Sequence, residues 1–235
     1  MAKTTFKKKV DKAEEENETT EVVTTSSGGD LSTYNGAGGS GWDVADIRIP
    51  YLSLVQKSGN LSNEFSPGSF VFNKELVVAD GKEPIELTVL RADKYFVEDI
   101  DYDPDIRPKR FNTREEFLAE GYSLDYNAEM KVKEAAELVV LVPVEKEHAV
   151  FTDKDDTGYV RAAWICQSSA FGTVGRTVAT AMMAGHLKDG VHKGKWALTS
   201  ELRSSKAMSW FVPIVRSMGR HDGEFLEFLE TQCII

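Results

Sequence analysis

The amino-acid sequence predicts a mainly β domain with one long helix, preceded by a polar tail. Several short segments alternate apolar and polar residues at the two-residue period of a β-strand. One segment in the second half of the chain instead repeats its apolar residues at the spacing of a helix, with Phe171, Val174, Val178 and Met182. The hydrophobic fraction of 41% and the charged fraction of 28% are ordinary for a folded chain, and 235 residues can form one core with appendages.

Residues 1–44 predict a disordered tail with a flexible linker at its end. The segment is rich in Lys, Glu, Thr, Ser and Gly, and it closes with the glycine-dense TYNGAGGSG. It has too few apolar side chains to offset the entropy lost on ordering. We expect the folded domain at residues 45–220, followed by an acidic, amphipathic C-terminal segment at residues 221–235.

The first apolar segments predict short extended elements joined by turns. Pro50 disfavours helix at Ile49, so IRIPYLSL is expected to be extended. Pro67-Gly68 predicts a turn before the strand SFVFN. Asp80-Gly81 lies between two apolar runs, which is the signal of a β-hairpin.

Five strands and one helix follow in the main part of the chain. The strands are predicted where apolar residues alternate or β-branched residues cluster, at 85–99, 137–145, 158–166, 195–200 and 207–216. The helix is predicted at about 170–187, between the third and fourth strands, with Ser168 or Ser169 as its N-cap. A polar insertion separates the first two strands. Within it, Asn112 or Thr113 can cap a short helix over 114–120.

This order of elements is that of the OB-fold, a five-stranded and partly open Greek-key β-barrel. The predicted helix lies between strands three and four, and the predicted insertion between strands one and two. A generic α+β sandwich is the competing architecture, because periodicity does not determine which strands pair.

The distribution of charge predicts a face that binds polyanions. The chain has a formal net charge of −10, yet residues 161–220 hold nine Lys or Arg residues and only two acidic ones. The rest of the chain therefore carries −17. Such asymmetry favours a nucleic-acid partner, while the acidic remainder repels non-specific contacts. The alternative is a face that is basic by chance.

Aromatic side chains alternate with these cations in the last three predicted strands. Single-strand binding uses both, because every base offers a stacking face and every nucleotide a phosphate. Phosphate contacts are predicted for Arg161, Arg176, Lys193, Lys195, Arg203 and Lys206. Stacking is predicted for some of Tyr159, Trp196, Trp210 and Phe211. At least one of Trp164 and Trp210 is expected in the core.

The connection between the last two strands is the second part of the predicted interface. SELRSSK is expected to be a loop, at a place where OB-folds commonly bind their ligands. Its cations and hydroxyls suit phosphates better than base edges. The sequence therefore predicts binding without sequence readout.

The sequence predicts no cofactor, metal centre or catalytic set. Cys166 and Cys233 are too few and too far apart for a disulfide framework or a zinc site, and Cys166 is expected to be a buried core residue. SSAFGTVGRT lacks the glycine spacing and the Lys of a phosphate-binding P-loop. EDIDYDPD lacks the glycine and the distal Glu of an EF-hand.

Three segments resemble one family of proteins: IRIPYLSLVQKSGNLSNEFSPGSF, YVRAAWICQSSAFGTVGRTVATAM and KGKWALTSELRSSKAMSWFVPIV. They are similar to single-stranded DNA-binding proteins of bacteriophage replication and recombination modules, which open on an I-P-x-L-x-L-x-Q segment and are thought to be OB-folds. The resemblance covers roughly residues 47–217. It implies binding and protection of single-stranded DNA. The Cys pairs of some relatives are absent, so no metal is implied.

The C-terminal segment gives a second hint of this kind. HDGEFLEFLETQCII is similar to the acidic, apolar-ended tails through which single-strand binding proteins recruit replication or recombination proteins. An amphipathic helix packed on the barrel is the alternative.

Two other functions stay open, and one location is expected. The first is a phage interaction protein that binds and modulates a host protein while its acidic regions imitate DNA. The second is an enzyme that uses Cys166 or the predicted acidic loop EDIDYDPD. The sequence disfavours it, because it offers neither a base for Cys166 nor a metal-ligand set. Because no secretory signal or membrane-spanning segment is predicted, we expect the cytoplasm, that of the host cell for a phage protein.

Overall fold

The computed structural model describes residues 49–101, 106–206 and 208–233, and all of them belong to one compact unit. The tail predicted at residues 1–44 lies outside the described residues. So do Asp103 and Asp105 of the predicted acidic loop. Within the described ranges, no helix is long and apolar enough to cross a membrane.

The described chain is mainly β, as the sequence predicts, and its strands form two antiparallel sheets. In chain order the strands are β1 (Leu52–Leu54), β2 (Phe70–Phe72), β3 (Leu76–Ala79), β4 (Ile85–Glu98), β5 (Arg110–Phe111), β6 (Val132–Val144), β7 (Phe151–Thr152), β8 (Gly158–Gln167), β9 (Gly194–Ser204) and β10 (Ser209–Arg220). The α-helices are α1 (Arg114–Ala119), α2 (Arg176–Ala184) and α3 (Gly223–Phe228). One π-helical turn, Phe171–Gly175, precedes α2, and another, Leu229–Cys233, follows α3.

The larger sheet has the order β10-β9-β4-β6-β8-β7, with β5 beside the end of β4. Its long strand β4 pairs with two neighbouring strands: Ile85–Thr88 pair with β9, and Thr88–Glu98 pair with β6. The five long strands therefore stand in the spatial order fifth, fourth, first, second, third. Helix α2 lies between the third and fourth of them along the chain, so that part of the predicted element order is confirmed.

The two ends of this row are not joined into a barrel. Within the described residues β8 and β10 do not pair with each other, so the closed five-stranded barrel is not found. The segment around β1 lies between them instead. Tyr51 forms a parallel bridge with Ala163 of β8, and the side chain of Gln56 makes two hydrogen bonds to Phe211 of β10.

One hydrophobic core fills the space between the sheets and α2. It consists mainly of one face of each long strand, because successive side chains of a strand point to opposite faces. Its large buried members include Leu87, Val89, Leu138, Val140, Trp164, Trp196, Leu198 and Val215. Phe171, Val174 and Val178, predicted from their helical spacing, are buried against this core.

Two local predictions about turns and caps were wrong. Asp80-Gly81 does not form a hairpin, because β3 pairs with β2 while β4 pairs with β6 and β9. The carbonyl of Gly81 instead accepts a hydrogen bond from the Ser200 amide of β9. The helix predicted at 170–187 has no serine side chain as its N-cap. The π-helical turn comes first and α2 follows it, ending at Ala184 rather than Leu187.

The insertion between β4 and β6 folds as predicted around a short helix. Thr113 is the N-cap of α1, and Glu116 completes a capping box by accepting from the Thr113 amide. A small cluster of buried side chains supports it: Phe96, Phe111, Phe117, Tyr122 and Val132.

The C-terminal segment packs on the outside of the larger sheet. Phe228, Leu229 and Cys233 are buried there against Leu141 of β6. The buried side chain of His221 shares a 2.8 Å hydrogen bond with Thr88 of β4. The packed arrangement, and not a free tail, is therefore the one found for residues 221–233.

Candidate nucleic-acid interface

The predicted basic residues lie in four separate places rather than along one groove. The first place is the outer face of β8, beneath the C-terminal segment. Arg161 donates a 3.5 Å hydrogen bond to the carbonyl of Cys233. Tyr159 donates to Asp153 at 3.1 Å, and its ring lies 5.6 Å from that of Phe225. The packed segment therefore covers part of each of these two predicted contact residues, and both are half-buried.

The second place is the start of α2. Arg176 forms a 2.9 Å ion pair with Glu134 of β6, which also binds Lys94 at 2.6 Å. Burial alone would raise the pKa of the Glu134 carboxyl, but hydrogen bonds from Lys94 and Arg176 lower it. Glu134 is thus ionised and neutralises part of the predicted positive charge.

The third place is the beginning of β9, where both predicted lysines are paired. Lys195 lies 2.5 Å from Glu86 of β4. Lys193 binds Asp189 at 3.1 Å, and Asp189 also binds Arg220 at 2.7 Å. Hydrogen bonds from Arg220 and Lys193 hold the pKa of Asp189 well below its usual value. These cations fasten loops and strand ends together.

The fourth place is the tip of the β9–β10 hairpin, which carries exposed cations and a half-buried indole. Arg203 and Trp210 are direct cross-strand partners, so their side chains share a face. Lys206 is exposed in the connecting turn, and Lys57 donates a 2.8 Å hydrogen bond to Ser209. We call Lys57, Arg203, Lys206 and Trp210 the hairpin patch.

The cations of the hairpin patch differ from Arg176, Lys193 and Lys195, each of which is paired with a carboxylate. Within the described ranges, Lys57, Arg203 and Lys206 form no ion pair. Glu201, the acidic residue of β9, lies instead 3.9 Å from Arg216. Strand β9 extends to Ser204, so Arg203 belongs to the strand and not to the predicted SELRSSK loop.

The aromatic residues divide between the core and the patch. Trp196 is fully buried, with an exposed fraction of 0%, and its proposed stacking role is corrected for that reason. Trp164 is also buried, which confirms that at least one of Trp164 and Trp210 lies in the core. Trp210 is half-buried. Phe211 is half-buried on the opposite face of β10, where its ring lies over Gly68.

Lys57 is the patch residue that sequence reasoning missed. It follows directly after the I-P-x-L-x-L-x-Q segment but lies far from the basic block in sequence. Gln56, next to it, binds both backbone groups of Phe211 and so brings Lys57 to β10. The sequence signal that could have identified Lys57 is a cation directly after an extended segment that can lie along the edge of the sheet.

Among the described residues, Cys166 and one surface turn bear on a catalytic or metal role. Cys166 is buried, and burial raises the pKa of its thiol, which suits a core residue better than a nucleophile. Glu145, Glu147 and His148 bring ligand atoms within 4.8 Å of one another on a surface turn. All three are exposed, and such surface groups commonly meet without an ion, so we assign no metal to them.

Comparisons of the chain with protein-family models, with curated proteins and with solved structures found no match.

Proposed function

We propose that this protein binds single-stranded DNA without reading its sequence, and that the hairpin patch is the principal contact. The observation that carries the proposal is the pairing of Arg203 with Trp210. It places a guanidinium for a phosphate and an indole for a base on one face of one hairpin. Stacking on an aromatic ring is worth about 1–3 kcal/mol per base and tolerates any base.

The proposed fold supports this location. We propose that the five long strands form an opened OB-fold-like barrel, whose gap between β8 and β10 is covered by the segment around β1. Their spatial order and the position of α2 support this interpretation. In such a barrel the β9–β10 hairpin is the connection between strands four and five, which commonly contributes to oligonucleotide binding.

The proposed biological role follows the resemblance described above. It is the non-catalytic protection of single-stranded DNA during phage replication or recombination, in the cytoplasm of the host. Recruitment of replication or recombination proteins through the C-terminal segment is part of the proposal. The exposed carboxylates of Glu224, Glu227 and Glu230 support it, whereas Phe228 and Leu229 are buried in the packed segment.

The direct test is fluorescence anisotropy of a labelled oligo-dT with the full chain. We expect R203A/K206A and W210A each to weaken binding at least tenfold. The matched control for the double variant is R114A/K188A, which removes two exposed cations elsewhere and leaves the net charge equal. Equal binding by both double variants would remove the hairpin patch as the site. Parallel titrations with duplex DNA and RNA measure the preference for single-stranded DNA.

A second function is favoured by one observation at the other end of β9. Six carboxylates line a single cleft there, which suits a phage protein that binds and modulates a host protein. This alternative implies no binding of oligonucleotides and a stable protein partner. The same anisotropy titration separates the two functions.

A further inference from the structure

A cleft lies between α3, the β7–β8 turn and the starts of β4 and β9. Its volume is about 770 Å³, within the range of sites for small ligands. Four aromatic rings line it. The ring centroids of Tyr159, Phe225 and Phe228 lie 5.5–5.7 Å from one another, and that of His221 lies 4.4 Å from that of Phe225. This grouping of π-faces is independent of the acidic groups on the walls.

The charge of the cleft decides which ligand these rings can take. Six acidic and three basic side chains line it. Each of the three cations is already paired: Lys154 with Glu224, Lys195 with Glu86, and Arg220 with Asp189. The cleft therefore has no free positive group, within the described residues, for an anionic ligand.

Several carboxylates of the cleft keep their charge available. Asp155 and Glu227 are exposed and form no ion pair within the described part of the chain. Asp153 accepts hydrogen bonds from Tyr159 and from two backbone amides, which fix it in place without neutralising it. Burial and the bond to Asp153 raise the pKa of Tyr159, so the phenol stays neutral.

We propose that this cleft binds an organic cation carried on an aliphatic stem, either the guanidinium or ammonium group of a basic side chain or a free polyamine. Aromatic faces attract such cations through their quadrupoles, most strongly where water is partly excluded. The carboxylates of Asp155 and Glu227 supply the opposite charge. The aliphatic stem would lie along Pro143 and Phe228.

This site is separate from the hairpin patch and does not depend on DNA binding. Lys195 lines the cleft and Arg203 belongs to the patch, and they stand eight residues apart on β9. At about 3.3 Å per residue the two sites are roughly 26 Å apart. Both can therefore be occupied at once, and each can be tested without the other.

The test is an NMR titration of the full chain with three probes. Nα-acetyl-arginine amide presents the side chain of a peptide, spermidine presents a free polyamine, and Nα-acetyl-citrulline amide has the shape of the first without its charge. We expect saturable shifts of the Asp155, Thr157 and Phe225 amides with at least one cationic probe and none with citrulline. Binding of the arginine probe or of spermidine identifies the source of the cation.

Variants connect the binding to the cleft. D155N/E227Q should weaken the cationic probe at least tenfold, whereas E64Q/E75Q removes two exposed carboxylates elsewhere and should change it less than twofold. The proposal is overturned if neither cation produces saturable shifts, if the citrulline probe binds equally, or if both double variants behave alike. None of these results bears on oligo-dT binding, because the proposed DNA contact, the hairpin patch, lies at the other end of β9.

Discussion

The side-chain amide of Gln56 makes both hydrogen bonds that a neighbouring strand would make with Phe211. Its Oε1 accepts from the Phe211 amide at 2.9 Å, and its Nε2 donates to the Phe211 carbonyl at 3.0 Å. Nearby, the hydroxyl of Thr173 donates to the carbonyl of Pro213 at 2.7 Å. Within the described ranges no strand pairs with this edge of β10, and these side chains bond its backbone groups instead.

We expect Q56A to destabilise the protein by about 1–3 kcal/mol, because it leaves two partly buried backbone groups of Phe211 without partners. The measurement is the free energy of unfolding in urea. Q232A is the control, since Gln232 is exposed and should change stability by less than about 0.5 kcal/mol. Similar values for the two variants would mean that the Gln56 contacts do not close the sheet.

Gly81 is the second point at which the two sheets are joined. Its φ is +79°, and a Cβ there would lie 2.0 Å from the carbonyl oxygen of Gly68. G81A should therefore cost about 2 kcal/mol or more, through backbone strain and displacement of Gly68. G223A is the matched control, because nothing lies within 4 Å of a Cβ at the start of α3. The measurement is the melting temperature of each variant, and an equal decrease in G81A and G223A would contradict this account.

The main elements could be predicted from the sequence because their signals are local. The alternation of the long strands and the helical spacing of Phe171, Val174 and Val178 each lie within one segment. The β2–β3 hairpin was missed because its turn uses Asn73-Lys74, both with positive φ, in place of the stronger Asn-Gly signal. Asp80-Gly81 carried that stronger type of signal and yet connects the two sheets.

The site was harder to predict because its partners come from distant parts of the chain. Glu86 and Glu134 lie outside the basic block and neutralise Lys195 and Arg176 from neighbouring strands. A count of charges along the sequence does not register such pairs. Alternation likewise does not reveal which face of β9 is covered, so Trp196 was expected to be available although it fills the core.

The salt dependence of DNA binding should reflect the smaller patch. Three unpaired cations, Lys57, Arg203 and Lys206, predict a slope of about −2 for the logarithm of affinity against the logarithm of salt, at about −0.7 per phosphate contact. Six contacts, as the full predicted set would make, imply roughly −4. Anisotropy titrations between low and moderate salt give the slope, and K57A should reduce its magnitude by about 0.7. A slope near −4 would mean that further cations reach the strand.

His221 should make the protein less stable in mild acid. Burial lowers its pKa to about 4 from a usual value of 6.5, with Glu86 opposing this effect and Lys195 reinforcing it. Between these two pH values the unfolded chain takes up a proton that the folded chain excludes, so the free energy of unfolding falls as the pH is lowered. The full effect is about 3 kcal/mol. Comparison of H221Q with the parent in urea at several pH values isolates it, and identical pH profiles would contradict it.

The fluorescence of Trp210 should report DNA binding directly. Trp164 and Trp196 are buried, so a bound base cannot stack on them, whereas Trp210 is half-buried beside Arg203. Trp42 lies outside the described residues, so every protein used in this experiment carries the substitution W42F. In this W42F background we expect oligo-dT to quench the emission, and W210F to abolish the quenching. W164F is the control, because it removes a core indole and should leave the quenching in place. Quenching that persists in W42F/W210F would locate the bound strand away from the hairpin, even if the affinity still depended on Arg203.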